Sequence, residues 1–177
     1  MADGATASLA LQKWLEAQDA KTYASATLIN NAGVIPNIGP LSQADPHNLA
    51  MALRVGLEAP MQLCAAFLGA TENWIMPRKV VNISSGLGRR AMASQAAYCA
   101  AKAGMEHLVA TWATEVESTP LRVNLVDPGR VATKLRAAAY PGEDQTKLAQ
   151  PTDVAPGLAA FCLPTETRHG ARVRLGG

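Results

Sequence analysis

Tyr98 and Lys102 stand four residues apart, and Ser85 lies thirteen residues upstream at the end of a β-branched run. On a helix, positions four apart share a face, so the Tyr98 phenol and the Lys102 ammonium project into the same space. A cation beside a phenol favours phenolate and is expected to draw the Tyr98 pKa from about 10 toward neutrality, as a general acid/base requires. Ser85 adds a hydroxyl donor for a substrate carbonyl. The bare Tyr-x-x-x-Lys spacing is common on helix surfaces, so the chemistry depends on the elements that bring the three side chains together.

Those elements can be read from the flanking pattern. Lys79-Val-Val-Asn-Ile-Ser-Ser85 reads as a buried strand whose apolar run stops at two hydroxyls and Gly86. Ala26-Thr-Leu-Ile-Asn30 runs into Asn31-Ala32-Gly33, and Leu121-Arg-Val-Asn-Leu-Val126 runs into Asp127-Pro128-Gly129. Short apolar runs bounded by Gly, Pro and Asn fit strands buried on both faces. Two long helical patterns, Pro46 to Glu72 and Ser94 to Glu117, lie between them. Strand and helix alternating in this way predict βαβ crossovers and an α/β fold with a parallel sheet. The three strand ends then meet at one edge, where ligands bind in such sheets, with Ser85 in the crevice.

Together, Asn30-Asn31-Ala32-Gly33, Ser85, Tyr98 with Lys102, and Pro128-Gly129-x-Val131-x-Thr133 resemble the short-chain dehydrogenase/reductase family. The Asn-Asn-Ala-Gly signature favours its main branch over the extended, epimerase-like one. The resemblance spans residues 24 to 177 and implies a Rossmann-like, doubly wound parallel sheet holding strands 4 to 7 of the family fold with their intervening helices. It implies that Tyr98 protonates or deprotonates the substrate oxygen. Lys102 would hold the nicotinamide ribose and depress the Tyr98 pKa, and Ser85 would hydrogen-bond the carbonyl. Asn31, Ala32 and Gly33 would wall the cofactor, and Pro128, Gly129, Val131 and Thr133 would contact its nicotinamide end. NAD or NADP would carry the hydride.

Two departures from the family pattern stand out. The family opens with a strand and a Gly-rich turn, where close backbone approach and a helix N-terminus hold the pyrophosphate. Residues 1 to 25 contain only Gly4, and Ser8 to Gln18 reads as an amphipathic helix carrying Leu9, Leu11, Trp14 and Leu15. The chain is therefore expected to be an N-terminally truncated single domain, 1–177, with a helical lead-in over 1–23. About two βαβ-sized pieces, roughly 60 residues or more, would then be missing, and the choice between NAD and NADP would go with them. Such a chain alone is expected to bind either nucleotide weakly or not at all and to self-associate or aggregate through its open strand edge, unless Ala2 to Gln18 folds back as a cover. Secondly, Gly56 stands where relatives place an Asn that holds a water in a proton relay. A mid-helix Gly costs only about 1 kcal/mol, so the expectation is a weakened relay.

Gly86-Leu-Gly88-Arg-Arg-Ala91 follows a strand and has Glu106 twenty residues on, which superficially fits a dinucleotide fingerprint. The second strand of such a unit would fall inside the Ser94 to Glu117 helix, so the segment reads instead as a loop that turns Ser85 toward the crevice. With 177 residues, 49% of them hydrophobic, one domain with a sizeable core is expected. A net charge of +2 with scattered Lys and Arg argues against nucleic acid, and Arg89-Arg90 and the Arg168 to Arg174 tail read as solvated faces.

Cys64, Cys99 and Cys162 are odd in number, sit in apolar helical contexts and match no metal spacing, so they read as reduced core thiols of a cytoplasmic protein. His47, His107 and His169 have no ligand partner in sequence. No apolar run is expected to span a membrane and no signal peptide is evident. Pro, Gly and charge between Tyr140 and Asp153 suggest a mobile loop over the substrate.

The Ala-rich Tyr98 helix continues into Met105, Leu108, Val109 and Trp112, an apolar surface that predicts a homodimer or homotetramer through the helices around 46–72 and 94–117. Three functions follow from these features. The chain is an NAD(P)-dependent carbonyl reductase or alcohol dehydrogenase acting on a small molecule, or an inactive relative serving as a binding or oligomerisation module, or an enzyme using a Tyr/Lys base without nicotinamide.

Overall fold

The structure, a computed structural model, describes residues 3–176, so the first two residues of the expected lead-in lie outside the described residues. Strands β1 (Ala26–Asn30), β2 (Arg78–Ile83), β3 (Leu121–Asp127) and β4 (Arg172–Arg174) form one sheet in the order β1-β2-β3-β4. Every pair is parallel. Asn30 pairs with Asn82 and Asn82 with Leu125, so the carboxyl ends of the first three strands finish level. That alignment is what gathers the residues following each strand at one edge.

Around the sheet lie α1 (Gly4–Glu16), α2 (Pro46–Leu53), α3 (Ala59–Ala70), α4 (Ala96–Glu115), α5 (Lys134–Ala139) and α6 (Pro151–Ala160). Local chemistry starts several of them. The Asp45 carboxylate accepts from His47 N at 2.9 Å ahead of Pro46, and Thr133 Oγ1 accepts from Arg136 N at 3.0 Å, each supplying a donor at a helix start with its partner. Alanines, the best helix formers, begin α4.

β2 and β3 are covered on both faces. Val80, Val123 and Leu125 pack with Phe67 of α3, Met105, Val109 and Trp112 of α4, and Leu15 of α1. Val81 and Val126 face the other way, onto Phe161 and Leu158 at the end of α6. Each wholly buried valine stabilises the fold by about 1.5–3 kcal/mol. Helices on both faces of a parallel sheet make this the doubly wound α/β arrangement expected.

Several expectations are corrected. The lead-in helix begins at Gly4 and turns Leu11 and Leu15 inward, whereas Leu9 and Trp14 are 58% and 60% exposed. α2 and α3 form one rod, Pro46–Ala70, whose 25 residues are long and apolar enough to cross a membrane, against the expectation that none would be. Its buried residues, among them Ala52, Ala59, Leu63 and Phe67, make it a core helix of this fold.

The apolar stretch of α4 is mostly consumed inside the chain, since Met105, Val109 and Trp112 are buried. In the Arg168 to Arg174 tail, Arg168 and Arg174 are exposed as expected, whereas Arg172, on β4, is drawn into ion pairs with Glu106 and Asp127. His169 has two partners: its Nδ1 accepts from Val123 N at 3.3 Å and its Nε2 lies 2.8 Å from the Ala113 carbonyl. The segment after Tyr140 is tied at its base, where Ala132 N donates to the Ala149 carbonyl at 2.8 Å, and Asp153 already belongs to α6.

Candidate active site

A cavity of about 950 Å³ opens at the level carboxyl ends of the strands. Asn31, Ala32 and Gly33 after β1, Ser85 after β2, Tyr98 and Lys102 on α4, and Pro128, Gly129, Val131 and Thr133 after β3 all line it. Every candidate site residue is therefore brought to one place. Asn30, one residue earlier, is buried and plays another part: its Nδ2 donates to Asn82 Oδ1 at 2.8 Å and to Cys64 Sγ at 3.1 Å, joining β1 to β2 beneath α3.

Lys102 Nζ donates to the Ile83 carbonyl at 2.7 Å and sits 5.7 Å from the centroid of the Tyr98 ring. Burial pulls the Lys102 ammonium down to about 8. Burial also pushes the Tyr98 phenol above its usual value, and the nearby Ser85 hydroxyl offsets part of that rise. The net shift of the Tyr98 phenol is upward. In the protein alone, the expected depression of the Tyr98 pKa by Lys102 is thus reversed, because desolvation of the phenol outweighs an ammonium directed at a backbone carbonyl. Ser85 Oγ accepts from Leu87 N at 3.2 Å, which holds it at the head of the Gly86–Gly88 turn.

Gly56 lies in a five-residue π-turn, Arg54–Glu58, between α2 and α3. Pro60 has no N–H for the Gly56 carbonyl, and the ladder shifts so that Ala59 N donates to the Arg54 carbonyl. A Cβ at Gly56 would stand 2.9 Å from the Ala101 Cβ. The glycine therefore serves close packing of this rod on α4, beside Lys102. A packing role is thus added to the weakened relay expected at this position.

Other residues of the site gave weaker sequence signals. Gln95, three positions before Tyr98, is buried and lines the cavity, and its Oε1 has no hydrogen-bond partner. Ser94 before it holds a left-handed φ of 67°, a strained conformation of the kind that clusters at functional sites. Across the cavity, Arg136 makes a bidentate pair with Glu143 and stacks on Tyr140 at 3.8 Å. Glu106 faces Ser84, Arg89 and Arg172 from α4, so the second strand that a dinucleotide fingerprint at Gly86 to Ala91 would need is a helix here.

Comparison with known proteins agrees with this geometry. The family profile described as short chain dehydrogenase matches residues 5–144, starting inside α1. A benzil reductase ((S)-benzoin forming) of Bacillus cereus is 36% identical over 64% of this chain and 46% of its own length. The uncharacterized oxidoreductase YciK of Escherichia coli (strain K12) is 33% identical over 73% of this chain and 50% of its own. The chain spans about half the length of these curated relatives.

Among solved structures, a short chain dehydrogenase from Salmonella enterica superposes with a TM-score of 0.84 at 27% identity, over 96% of this chain and 70% of that one. One from Escherichia coli CFT073, complexed with NADPH, gives 0.83 at 28% identity over the same shares of each chain. With most of its length matched by the family profile and its fold shared with these structures, the chain belongs to the short chain dehydrogenase family.

Proposed function

We propose that the protein is an NAD- or NADP-dependent oxidoreductase that interconverts a small-molecule carbonyl and its alcohol. The convergence of Ser85, Tyr98 and Lys102 in one cavity is the observation that carries this reading. The residues present suit the nicotinamide end of the cofactor. Lys102 brings a buried ammonium, with one donor used on Ile83, to the cavity wall. Gly129 adopts a φ of 78° with its N–H held by Asp127 Oδ1 at 3.0 Å, a turn that fixes the Pro128-Gly129 wall of the cavity and packs it closely on the Gly176 backbone.

When bound, the cofactor supplies or accepts the hydride. Ser85 Oγ donates to the substrate oxygen and aligns the carbonyl. Tyr98 gives that oxygen its phenolic proton during reduction and takes it back during oxidation. Lys102 holds the ribose, Asn31, Ala32 and Gly33 form the wall beside it, and Pro128, Gly129, Val131 and Thr133 contact the nicotinamide end.

The protein acts in the cytoplasm, on neither nucleic acid nor membrane, as a homodimer or homotetramer through the rod of α2 and α3 and through α4. Leu53 and Met61, large and apolar on the outside of that rod, support the association. Two relatives are named benzil reductases, so benzil is the first carbonyl to test. NADPH- or NADH-dependent reduction of benzil is expected, with Tyr98→Phe abolishing it and leaving the circular dichroism spectrum unchanged. Undiminished turnover in Tyr98→Phe, or none in the wild type with any carbonyl tried, overturns the reading.

A further inference from the structure

Three consecutive residues at the end of β2 are each gripped from outside the strand. The Ile83 carbonyl accepts from Lys102 Nζ at 2.7 Å, the Ser84 hydroxyl donates to Glu106 Oε1 at 2.8 Å, and the Ser85 carbonyl accepts from Arg172 Nη2 at 3.2 Å. Tyr98, Lys102 and Glu106 follow one another at four-residue steps, so a single face of α4 carries both the acid/base pair and the grip on the strand end.

Glu106 is the hub of this arrangement. Beyond Ser84 it accepts from Arg172 Nε at 2.9 Å and from Arg89 Nε at 2.7 Å. Arg172 in turn reaches within 3.6 Å of Asp127 Oδ2, and the other oxygen of Asp127 holds Gly129 N. Arg172 thereby connects the turn that presents Ser85 with the neighbouring Asp127-Pro128-Gly129 wall of the cavity. Two carboxylates, with 11% and 5% of their side chains exposed, face two guanidiniums. Burial alone would raise the Glu106 carboxyl, but hydrogen bonds from Arg89 and Ser84 and the charge of Arg172 hold it below the usual carboxylate range.

We propose that Glu106 and Arg172 form an ionic clamp that fixes the Ser85 hydroxyl and the Gly129 wall relative to Tyr98, making both positioning residues for the carbonyl chemistry. The proposal rests on the roles of Ser85, Tyr98 and Lys102 given above. Buried ion pairs add little net stability compared with apolar residues of the same volume. Position is where this network acts: a shift of about 1 Å in a reacting group lowers turnover by up to about 100-fold.

Arg172→Gln, Arg172→Lys and the double variant Glu106→Gln/Arg172→Gln test the clamp in the full chain. The double variant removes both charges of the pair and serves where the single one does not fold. In the glutamine variants, kcat for NADPH-dependent benzil reduction is expected to fall about tenfold to 100-fold while KM stays within about threefold. Arg172→Lys restores part of kcat.

Amide exchange at Leu87 and Gly88, whose N–H groups donate to Ser85 Oγ and to the Ser85 carbonyl, should quicken about tenfold while β3 is unaffected. Unchanged kcat, a rise in KM alone, or unaltered exchange at Leu87 and Gly88 overturns the clamp. A wild-type chain that reduces no carbonyl with either nucleotide overturns the functional reading instead, and the exchange comparison still decides the clamp.

Discussion

The Lys102 ammonium stands 5.7 Å from the centre of the Tyr98 ring, yet its hydrogen bond goes to the Ile83 carbonyl. Burial brings Lys102 to about 8 and raises Tyr98 above its ordinary value, so the lysine loses its proton first as pH rises. On the proposed roles, carbonyl reduction needs Tyr98 protonated and Lys102 charged. Its kcat/KM is therefore expected to be highest below about pH 8 and to fall as pH rises through that value. Lys102→Met should remove the inflection near 8 and leave only a decline at the Tyr98 phenol. A pH–rate profile of the two proteins checks this, and an identical inflection in both refutes the assignment.

The same shift bears on stability. Lys102 titrates near 8 in the fold and near its ordinary value of 10.5 when unfolded. Between those values the unfolded chain binds more protons, so stability rises with pH across that window, and the cost of burying the charge is fully present below it. Lys102→Met is expected to stabilise the chain by about 1–2 kcal/mol at neutral pH, after allowing for the lost bond to Ile83. The gain should vanish above about pH 10.5. Denaturant titrations at several pH values measure it; a gain that does not depend on pH contradicts the argument.

Gly56 meets Ala101 too closely to carry a side chain. Gly56→Asn is expected to destabilise the fold by about 1–3 kcal/mol through overpacking and to lower turnover, because the displaced residue precedes Lys102. Ala101→Gly in the same chain should restore part of both. Thermal melts and initial rates test the pair, and wild-type stability with raised turnover in Gly56→Asn would show that the position supports a proton relay after all.

His169 ties β3 to α4 through one ring, as acceptor for Val123 N and as partner of the Ala113 carbonyl. His169→Ala removes the partner of a buried backbone N–H and is expected to cost about 1–3 kcal/mol. Urea unfolding measures that loss, and a midpoint equal to wild type would mean that water replaces the ring at no cost.

Much of this architecture was legible because it is local. The β-branched runs at Leu28, Val80 and Val123, bounded by Gly, Pro and Asn, identify three strands, and a helical pattern from Ser94 to Glu117 identifies α4 to within two residues at each end. Four-residue spacing on that helix is enough to put Tyr98 and Lys102 on one face. Once the strands are parallel and level, Asn31, Ser85 and Pro128 must meet at one edge, which is why all ten candidate residues line a single cavity.

What the sequence could not determine depends on distance and desolvation. β4 has only three residues, Arg-Val-Arg, and its place in the sheet comes from pairing with Leu125 to Asp127 across forty-odd positions of chain. Arg172 looked solvated because nothing nearby in sequence pairs with it, and Glu106 and Asp127 reach it only in the folded chain. Gly56 needed Ala101 beside it to show its purpose. The order in which Lys102 and Tyr98 titrate follows from how deeply each is buried and which group each faces, and spacing along a helix carries neither quantity.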